Sequence, residues 1–330
     1  MKVRNVAAGA LALLALAGCS ESQLDYRNAQ VNNGLIYAGS DNKPFTGLVT
    51  NVPENFMRAN NGYMDTLFNL NQTLKSLRSD RNMYMGRNFV CDVQVEKGFI
   101  SGDVSCYQAK SRILRYTAQY KDGNMDGALQ IYAIDGQTRL AKAMFSQDLI
   151  DGKVEFWSPN TGKQVYLRTA RNGRSDGVQE NYDENSGQTT YKAKASNGQL
   201  IGTVERFSAQ GKRISEIPYD DGTPHGVAHE WDANSGNMTK LITFDHGVWT
   251  GEYQEWAADG SLTAHRVYAR NVIMEDKLAP AQNAVADTDV DKCVAELVEA
   301  FRAENGEEAL VRHDQIAEWE SDCGKAPWME

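Results

Sequence analysis

The sequence predicts a mainly β protein, an elongated antiparallel β-meander of about seven or eight hairpin repeats of 25 residues, followed by a short C-terminal α-helical hairpin. A recurring glycine and a recurring aromatic residue predict the repeat. The glycines are separated by 24 or 25 residues and are Gly102, Gly127, Gly152, Gly177, Gly202, Gly226 and Gly251. Five positions after them stand Tyr107, Tyr132, Trp157, Tyr182, Phe207, Trp231 and Trp256. Seven matches at seven positions indicate a repeated structural unit.

Residues 1–18 have the pattern of a signal peptide. Two basic residues precede an apolar run of about a dozen residues, which is too short to span a bilayer as a permanent helix. The run ends in Leu-Ala-Gly-Cys at residues 16–19, which resembles the lipobox of bacterial lipoproteins. This resemblance implies cleavage before Cys19 and attachment of acyl chains such as palmitate. The alternative is an ordinary signal peptide with an incidental cysteine.

Residues 19–35 are mostly polar and are predicted to form a lipidated tether to the membrane. Ser20 follows the cysteine, which by the sorting rule of such lipoproteins implies the outer membrane. We expect the periplasmic side, with the cell surface as the alternative. Loss of the signal peptide leaves 32 Lys and Arg against 44 Asp and Glu. This acidic balance argues against nucleic acid as a partner, because nucleic-acid binding requires a basic surface.

Besides Cys19, four cysteines remain, an even number for a compartment that permits disulfides. Three pairings are open. We expect Cys91 with Cys106 and Cys293 with Cys323, because each pair lies within one local element. A zinc site is the alternative, although no CxxC pair or histidine cluster accompanies the cysteines. The first pair is symmetric about a turn, so its members would face each other across two antiparallel strands.

Each repeat contains two runs of five to seven residues that are rich in β-branched and aromatic types and are bounded by Gly, Asp, Asn and Ser. Every unit is therefore predicted to be a β-hairpin. The repeat domain spans residues 89–273, and a degenerate first repeat precedes it at residues 36–52. Residues 53–88 interrupt the period and include a predicted helix at residues 65–79.

Two motifs represent the repeat well. They are Asp-Gly-Asn-Met-Asp-Gly at residues 122–127, followed by Tyr132, and Tyr-Asp-Asp-Gly-Thr-Pro-His-Gly at residues 219–226, followed by Trp231. This pattern resembles the variant MORN repeat of the family labelled YwqK-type antitoxin. The resemblance implies an elongated sheet of consecutive hairpins, each of which contacts only its neighbours.

The period ends after residue 273, and residues 274–287 are predicted to be a linker. Apolar residues then recur at helical spacing, so residues 288–326 are predicted to form a helical hairpin whose first helix ends near Gly306. A hairpin of this size is too small to be held by its core alone. We therefore expect the predicted disulfide across its open end to stabilise the hairpin in addition to its core.

No set of acid, base and nucleophile converges in the sequence, so we expect neither an enzyme nor a bound cofactor. His225 and His229 with Glu230 superficially resemble a metalloprotease motif, but the order is not HExxH. The segment is a predicted strand, where residues four apart do not project together as they do on a helix. His246 is isolated in the sequence. We therefore expect no metal site, with weak calcium binding by the Asp, Asn and Ser loops as the alternative.

Glu155, Glu180 and Glu205 each stand three residues after a key glycine. They would recur on alternate strands, about 10 Å apart, and form an acidic ridge. The ridge is either a solvated face that matters only for solubility or a surface for a cationic partner. The aromatic row has the same strand parity, and we expect it to be core of the sheet rather than a ligand platform.

These patterns predict a non-enzymatic, lipid-anchored scaffold or protein-binding repeat protein of the bacterial envelope. We expect its partner to be another envelope protein or a basic peptide. The family label implies the alternative function, an antitoxin or immunity-type protein that binds and neutralises a toxic partner.

Overall fold

The computed structural model describes residues 22–39, 43–57, 61–79, 89–278, 284–307 and 309–325. Its strands are β1 (Gln23–Asp25), β2 (Ala29–Asn32), β3 (Leu35–Ala38), β4 (Gly47–Pro53), β5 (Phe89–Glu96), β6 (Phe99–Gln108), β7 (Leu114–Lys121), β8 (Asn124–Met125), β9 (Gly127–Tyr132), β10 (Arg139–Ser146), β11 (Leu149–Trp157), β12 (Gln164–Arg171), β13 (Arg174–Tyr182), β14 (Thr189–Ser196), β15 (Gln199–Phe207), β16 (Arg213–Asp220), β17 (Thr223–Pro224), β18 (Gly226–Trp231), β19 (Met238–Asp245), β20 (Val248–Trp256), β21 (Leu262–Ala269) and β22 (Val272–Asp276). Its α-helices are α1 (Asn61–Ser76), α2 (Ala284–Asn305) and α3 (His313–Lys325).

Twenty of these strands form one sheet whose order follows the chain. From β4 to β22 the strands pair antiparallel in chain order. The short strands β8 and β17 lead directly into β9 and β18, and both members of each set pair with the same preceding strand, β7 or β16. Strand β1 pairs in parallel with β4, and β2 and β3 form a separate ribbon. The predicted mainly β meander of hairpins with a C-terminal helical pair is confirmed.

The hairpin turns stack along one edge of the sheet. In the turn at residues 97–98, both φ angles are positive, at 49° and 87°. Such type I′ turns match the right-handed twist of the strands that they connect. The amide of Gly173 donates to the carbonyl of Ile150 at 2.8 Å, and the amide of Gly198 donates to that of Ser175 at 2.7 Å. The turns thus hydrogen-bond from one repeat to the next.

The main core lies on one face of the N-terminal half of the sheet, which we call the core face. Alternate strand residues reach it, including Val93, Val104, Leu129, Ala143 and Phe156, all of which are buried. Helix α1 covers this face at β10 and β11, where its Leu70 and Leu74 are fully buried. The opposite face, which we call the open face, carries the residues between these, such as Glu155 and Trp157.

Both predicted disulfides are present. Cys91 and Cys106 are register partners on β5 and β6, as their symmetry about the turn predicted. The disulfide between Cys293 and Cys323 joins α2 to α3. The two C-terminal helices share a small core made by Val294, Val298, Val311 and Ile316.

Four segment boundaries differ from the predictions. Within the predicted tether at residues 19–35, the described residues include β1, which pairs with β4 through its backbone, and Leu24 packs against the core. In the predicted degenerate repeat at residues 36–52, β3 pairs with β2 and β4 pairs with β5, while an isolated antiparallel bridge joins Tyr37 to Pro44. The linker at residues 274–287 contributes β22 and the start of α2, and α1 begins at Asn61 instead of residue 65.

Candidate functional site

The three glutamates that were predicted to form a ridge lie in one row on the open face, and each is half-buried. Glu155 stands opposite Lys142, while Lys192 lies between Glu180 and Glu205 as the register partner of both. Leu167 is the register partner of both Glu155 and Glu180, so the row is interrupted by apolar and basic residues and is not continuously acidic. Lys142 and Lys192 lie on the intervening strands, which the prediction of an acidic ridge did not include.

The row continues beyond Glu205 through Glu216 and His229. The Nδ1 atom of His229 lies 3.0 Å from Glu216 Oε1, and Arg213 forms an ion pair with the same carboxylate. The Arg213 guanidinium also lies 3.9 Å from Glu205. Each acidic side chain of this part of the row therefore has a basic or imidazole neighbour within the sheet.

The seven aromatic residues of the repeat share the open face with these glutamates. All seven are half-buried, whereas the core lies on the opposite face, so the expectation that they form the core is wrong. The guanidinium of Arg139 lies 4.1 Å from the ring centroid of Trp157, and that of Arg112 lies 4.2 Å from the centroid of Tyr107. At such distances a guanidinium is attracted to the face of the ring. The aromatic row is therefore a surface feature with basic neighbours.

A largely buried carboxyl group lies beneath α1 on the core face. The hydroxyl of Tyr63 donates to Glu54 Oε1 at 3.3 Å, and the Tyr63 ring is 5.7 Å from that of Tyr116. Burial raises the pKa of Glu54, although hydrogen bonds from the two tyrosines lower it. Burial also raises the pKa of both tyrosine hydroxyls. This enclosed group contributes to the attachment of α1 and is poorly placed to meet a substrate.

The middle of the sheet, from β13 to β19, has only a small core. Its buried hydrophobic side chains are Ala193, Ala195, Val204 and Ala228. Larger side chains point to the core face and remain half-buried, namely Tyr191, Ile217, Tyr219, Ile242 and Phe244. Helix α1 packs on β10 and β11, and α2 packs on β22. Apart from a cleft that α1 forms with Asn181 and Thr190 on β13 and β14, the middle strands are therefore a single layer within the described part of the chain.

The histidines are arranged differently from the predicted motif. His229 contacts Glu216, away from His225, so the two do not form a pair. Instead, His225 lies against His246 and Asp245 at the stacked turns. His246 stands apart from the other histidines in the sequence. The repeat period could have predicted this cluster, because it places neighbouring turns side by side.

Cys19, the predicted lipidation site, and the predicted signal peptide at residues 1–18 lie outside the described residues. None of the helices that the structure describes combines the length and the apolar character needed to cross a bilayer.

Neither protein-family models nor curated proteins match this chain. Among solved structures, a mutant of S. aureus TarM in complex with Fondaparinux, alpha-GlcNAc-glycerol and UDP is 15% identical, with 30% of this chain and 19% of that chain covered and a TM-score of 0.21. A further crystal structure of TarM is 12% identical, with 40% and 23% covered and a TM-score of 0.24. The chain thus spans about a fifth of these structures. TM-scores of this size give no indication of a shared fold or activity.

Proposed function

We propose that this chain is a lipid-anchored, non-enzymatic scaffold or binding protein of the bacterial envelope, whose hairpins are variant MORN repeats. The observation that carries the proposal is the single-layered middle of the sheet. A sheet normally buries at least one face against another element of its own domain. Here β13 to β19 leave half-exposed aromatic and aliphatic side chains on both faces. Aromatic side chains in such positions are typical anchors of protein–protein interfaces.

The net charge of the chain supports a cationic partner, such as another envelope protein with a basic surface or a basic peptide. The formal net charge is −10. Much of it comes from the C-terminal helical hairpin, where residues 288–326 contain 11 Asp and Glu against 4 Lys and Arg. Opposite net charges accelerate association and favour matching partners. The sheet would supply apolar contact area, and the helical hairpin would attract the basic partner.

The absence of catalysis is part of the proposal. The carboxylates of the open face lie beside lysine, arginine or histidine, and Glu54 is largely enclosed beneath α1. Neither arrangement offers a base held next to a nucleophile in an open cleft, as covalent catalysis requires. A surface of paired charges and aromatic rings is better suited to binding.

Anchoring through lipid on Cys19, in the outer membrane and facing the periplasm, completes the proposal. Its support is the lipobox-like sequence at residues 16–19. Metabolic labelling with palmitate should label the wild type and leave Cys19→Ala unlabelled. The variant should also leave the membrane fraction. Equal labelling of both proteins would contradict lipidation at this residue.

Binding by the middle strands can be tested by placing a photo-crosslinking phenylalanine analogue in the native lipoprotein in cells. Phe207 and Tyr219 sample the two faces, and Val31, which is 44% exposed on the separate ribbon, is the matched control. We expect one discrete adduct with a basic envelope protein from Phe207 or Tyr219 and none from Val31. Equal patterns at all three positions would contradict the proposal. A crosslinked partner that becomes toxic when this chain is deleted would favour the immunity-type alternative.

A further inference from the structure

The stacked turns repeat a contact between a carboxylate and a turn amide. In three consecutive repeats the residue before the key glycine is an aspartate, whose Oδ2 accepts from the first turn residue of the next hairpin at 3.3 Å. The pairs are Asp126 with Gln147, Asp151 with Asn172, and Asp176 with Asn197. An aspartate at this position therefore has a structural role.

The repeat of Gly226 carries different residues at these positions. His225 takes the position of the aspartate, His246 takes that of the turn residue, and Asp245 precedes it in the chain. Asp245 Oδ1 lies 3.3 Å from His225 Nδ1 and 2.8 Å from His246 Nδ1. The two imidazole centroids are 4.5 Å apart, and one ligand atom from each of the three side chains lies within 4.8 Å of the other two. All three side chains are exposed.

We propose that His225, Asp245 and His246 bind a divalent transition-metal ion, and specifically zinc. Imidazole nitrogen and carboxylate oxygen are ordinary zinc ligands, with bonds of about 2.0–2.2 Å. A tetrahedral shell of that size separates neighbouring ligand atoms by about 3.3 Å. The distance from Asp245 Oδ1 to His225 Nδ1 is 3.3 Å, which matches this value, and the distance to His246 Nδ1 is shorter, at 2.8 Å. Two imidazoles disfavour calcium, which selects oxygen ligands.

The site would remain open to exchange. Asp245 and His246 line a cleft of about 720 Å³ beside α2, which also includes Arg270, Glu299 and Arg302. Three protein ligands leave a fourth tetrahedral position for water, as in zinc sites that exchange ligands. The proposal does not depend on the binding function proposed above, because it rests on the turn edge and not on the middle strands.

Isothermal titration with zinc chloride tests the site in the mature, untagged lipoprotein in detergent. His225→Asp combined with His246→Asn introduces the pair found as Asp151 with Asn172 and Asp176 with Asn197, so this variant should fold normally. His229→Asn with His265→Asn removes two histidines elsewhere and is the matched control. We expect one zinc ion per wild-type chain, at least tenfold weaker binding in the first variant, and a change below about twofold in the control.

Thermal unfolding without metal should give similar midpoints for wild type and the pattern-restoring variant. Weaker zinc binding by the variant would then not be caused by a loss of folding. Cobalt(II) added to the wild type should give the visible spectrum of a four-coordinate ion, and the variant should not. The proposal is overturned if zinc does not bind stoichiometrically, if the control loses as much affinity, or if the pattern-restoring variant keeps wild-type affinity.

Discussion

Gly127 is a position at which the repeat should tolerate a side chain poorly. Its φ is +120°, and a Cβ placed there would lie 2.8 Å from the Cβ of Gln119. Gln119 cannot move aside freely, since its Oε1 accepts the amide of Ala128 at 3.2 Å. Gly127→Ala would therefore strain the backbone by about 1–3 kcal/mol and disturb a hydrogen bond worth about 1 kcal/mol. We expect the free energy of unfolding to fall by about 3 kcal/mol.

The chain contains a matched control for this substitution. Gly202 holds the equivalent position in a later repeat, with φ of +67° and no neighbouring atom within 4 Å of a Cβ. Gly202→Ala should lower the free energy of unfolding only by the penalty for alanine in the left-handed conformation, about 1–2 kcal/mol. Urea unfolding measures both variants, and hydrogen exchange locates the loosened strands. If the two substitutions cost the same, or if Gly127→Ala costs less than about 1 kcal/mol, then contact with the preceding strand does not explain the recurring glycine.

Three further outcomes follow from the packing. Leu70→Ala should lower the free energy of unfolding by about 2–5 kcal/mol, because it empties a fully buried position in α1; thermal unfolding measures this, and an unchanged midpoint would mean that α1 does not complete the core. Replacing Cys293 and Cys323 by Ala opens a loop of 30 residues, worth about 3–4 kcal/mol, so limited proteolysis should cut the helical hairpin before the sheet; equal resistance with and without the disulfide would refute this. Burial raises the pKa of Glu54, so the folded state binds a proton there more tightly than the unfolded state does. Raising the pH from about 4 to about 8 should therefore lower the free energy of unfolding of the wild type relative to that of Glu54→Gln. Urea midpoints at the two pH values check this, and an unchanged difference between the two proteins would contradict it.

The meander could be predicted because its signals are local. Type I′ turns and the crowded glycine position require particular residue types, so they leave a period in the sequence. The choice of core face could not be read in the same way. Both faces carry apolar residues, for example Val154 and Phe156 on one and Trp157 on the other. The docking of α1 and of N-terminal residues such as Leu24 and Phe45, which are long-range contacts, decides which face is buried.

The candidate sites show the same division between local and long-range information. The positions of Glu180 and Glu205 followed from the period, but Lys192 between them lies on the intervening strand. The cluster of His225 with His246 joins residues 21 positions apart. Stacking the repeats at their turns would have placed these two side by side. A direct search for metal motifs could not have found this pair, because the ligands of such motifs are spaced as on helices and in short loops.

The hydrogen bonds between stacked turns also bear on how this protein can change length. Each turn bonds to the turn before it through the same amide and carbonyl positions, so a whole unit could be gained or lost and the new neighbours would still meet matching groups. Each such event would move the helical hairpin relative to α1 by two strand spacings, about 10 Å. The chain would then act as a ruler whose length is set by copy number, while the structures at its two ends stay the same.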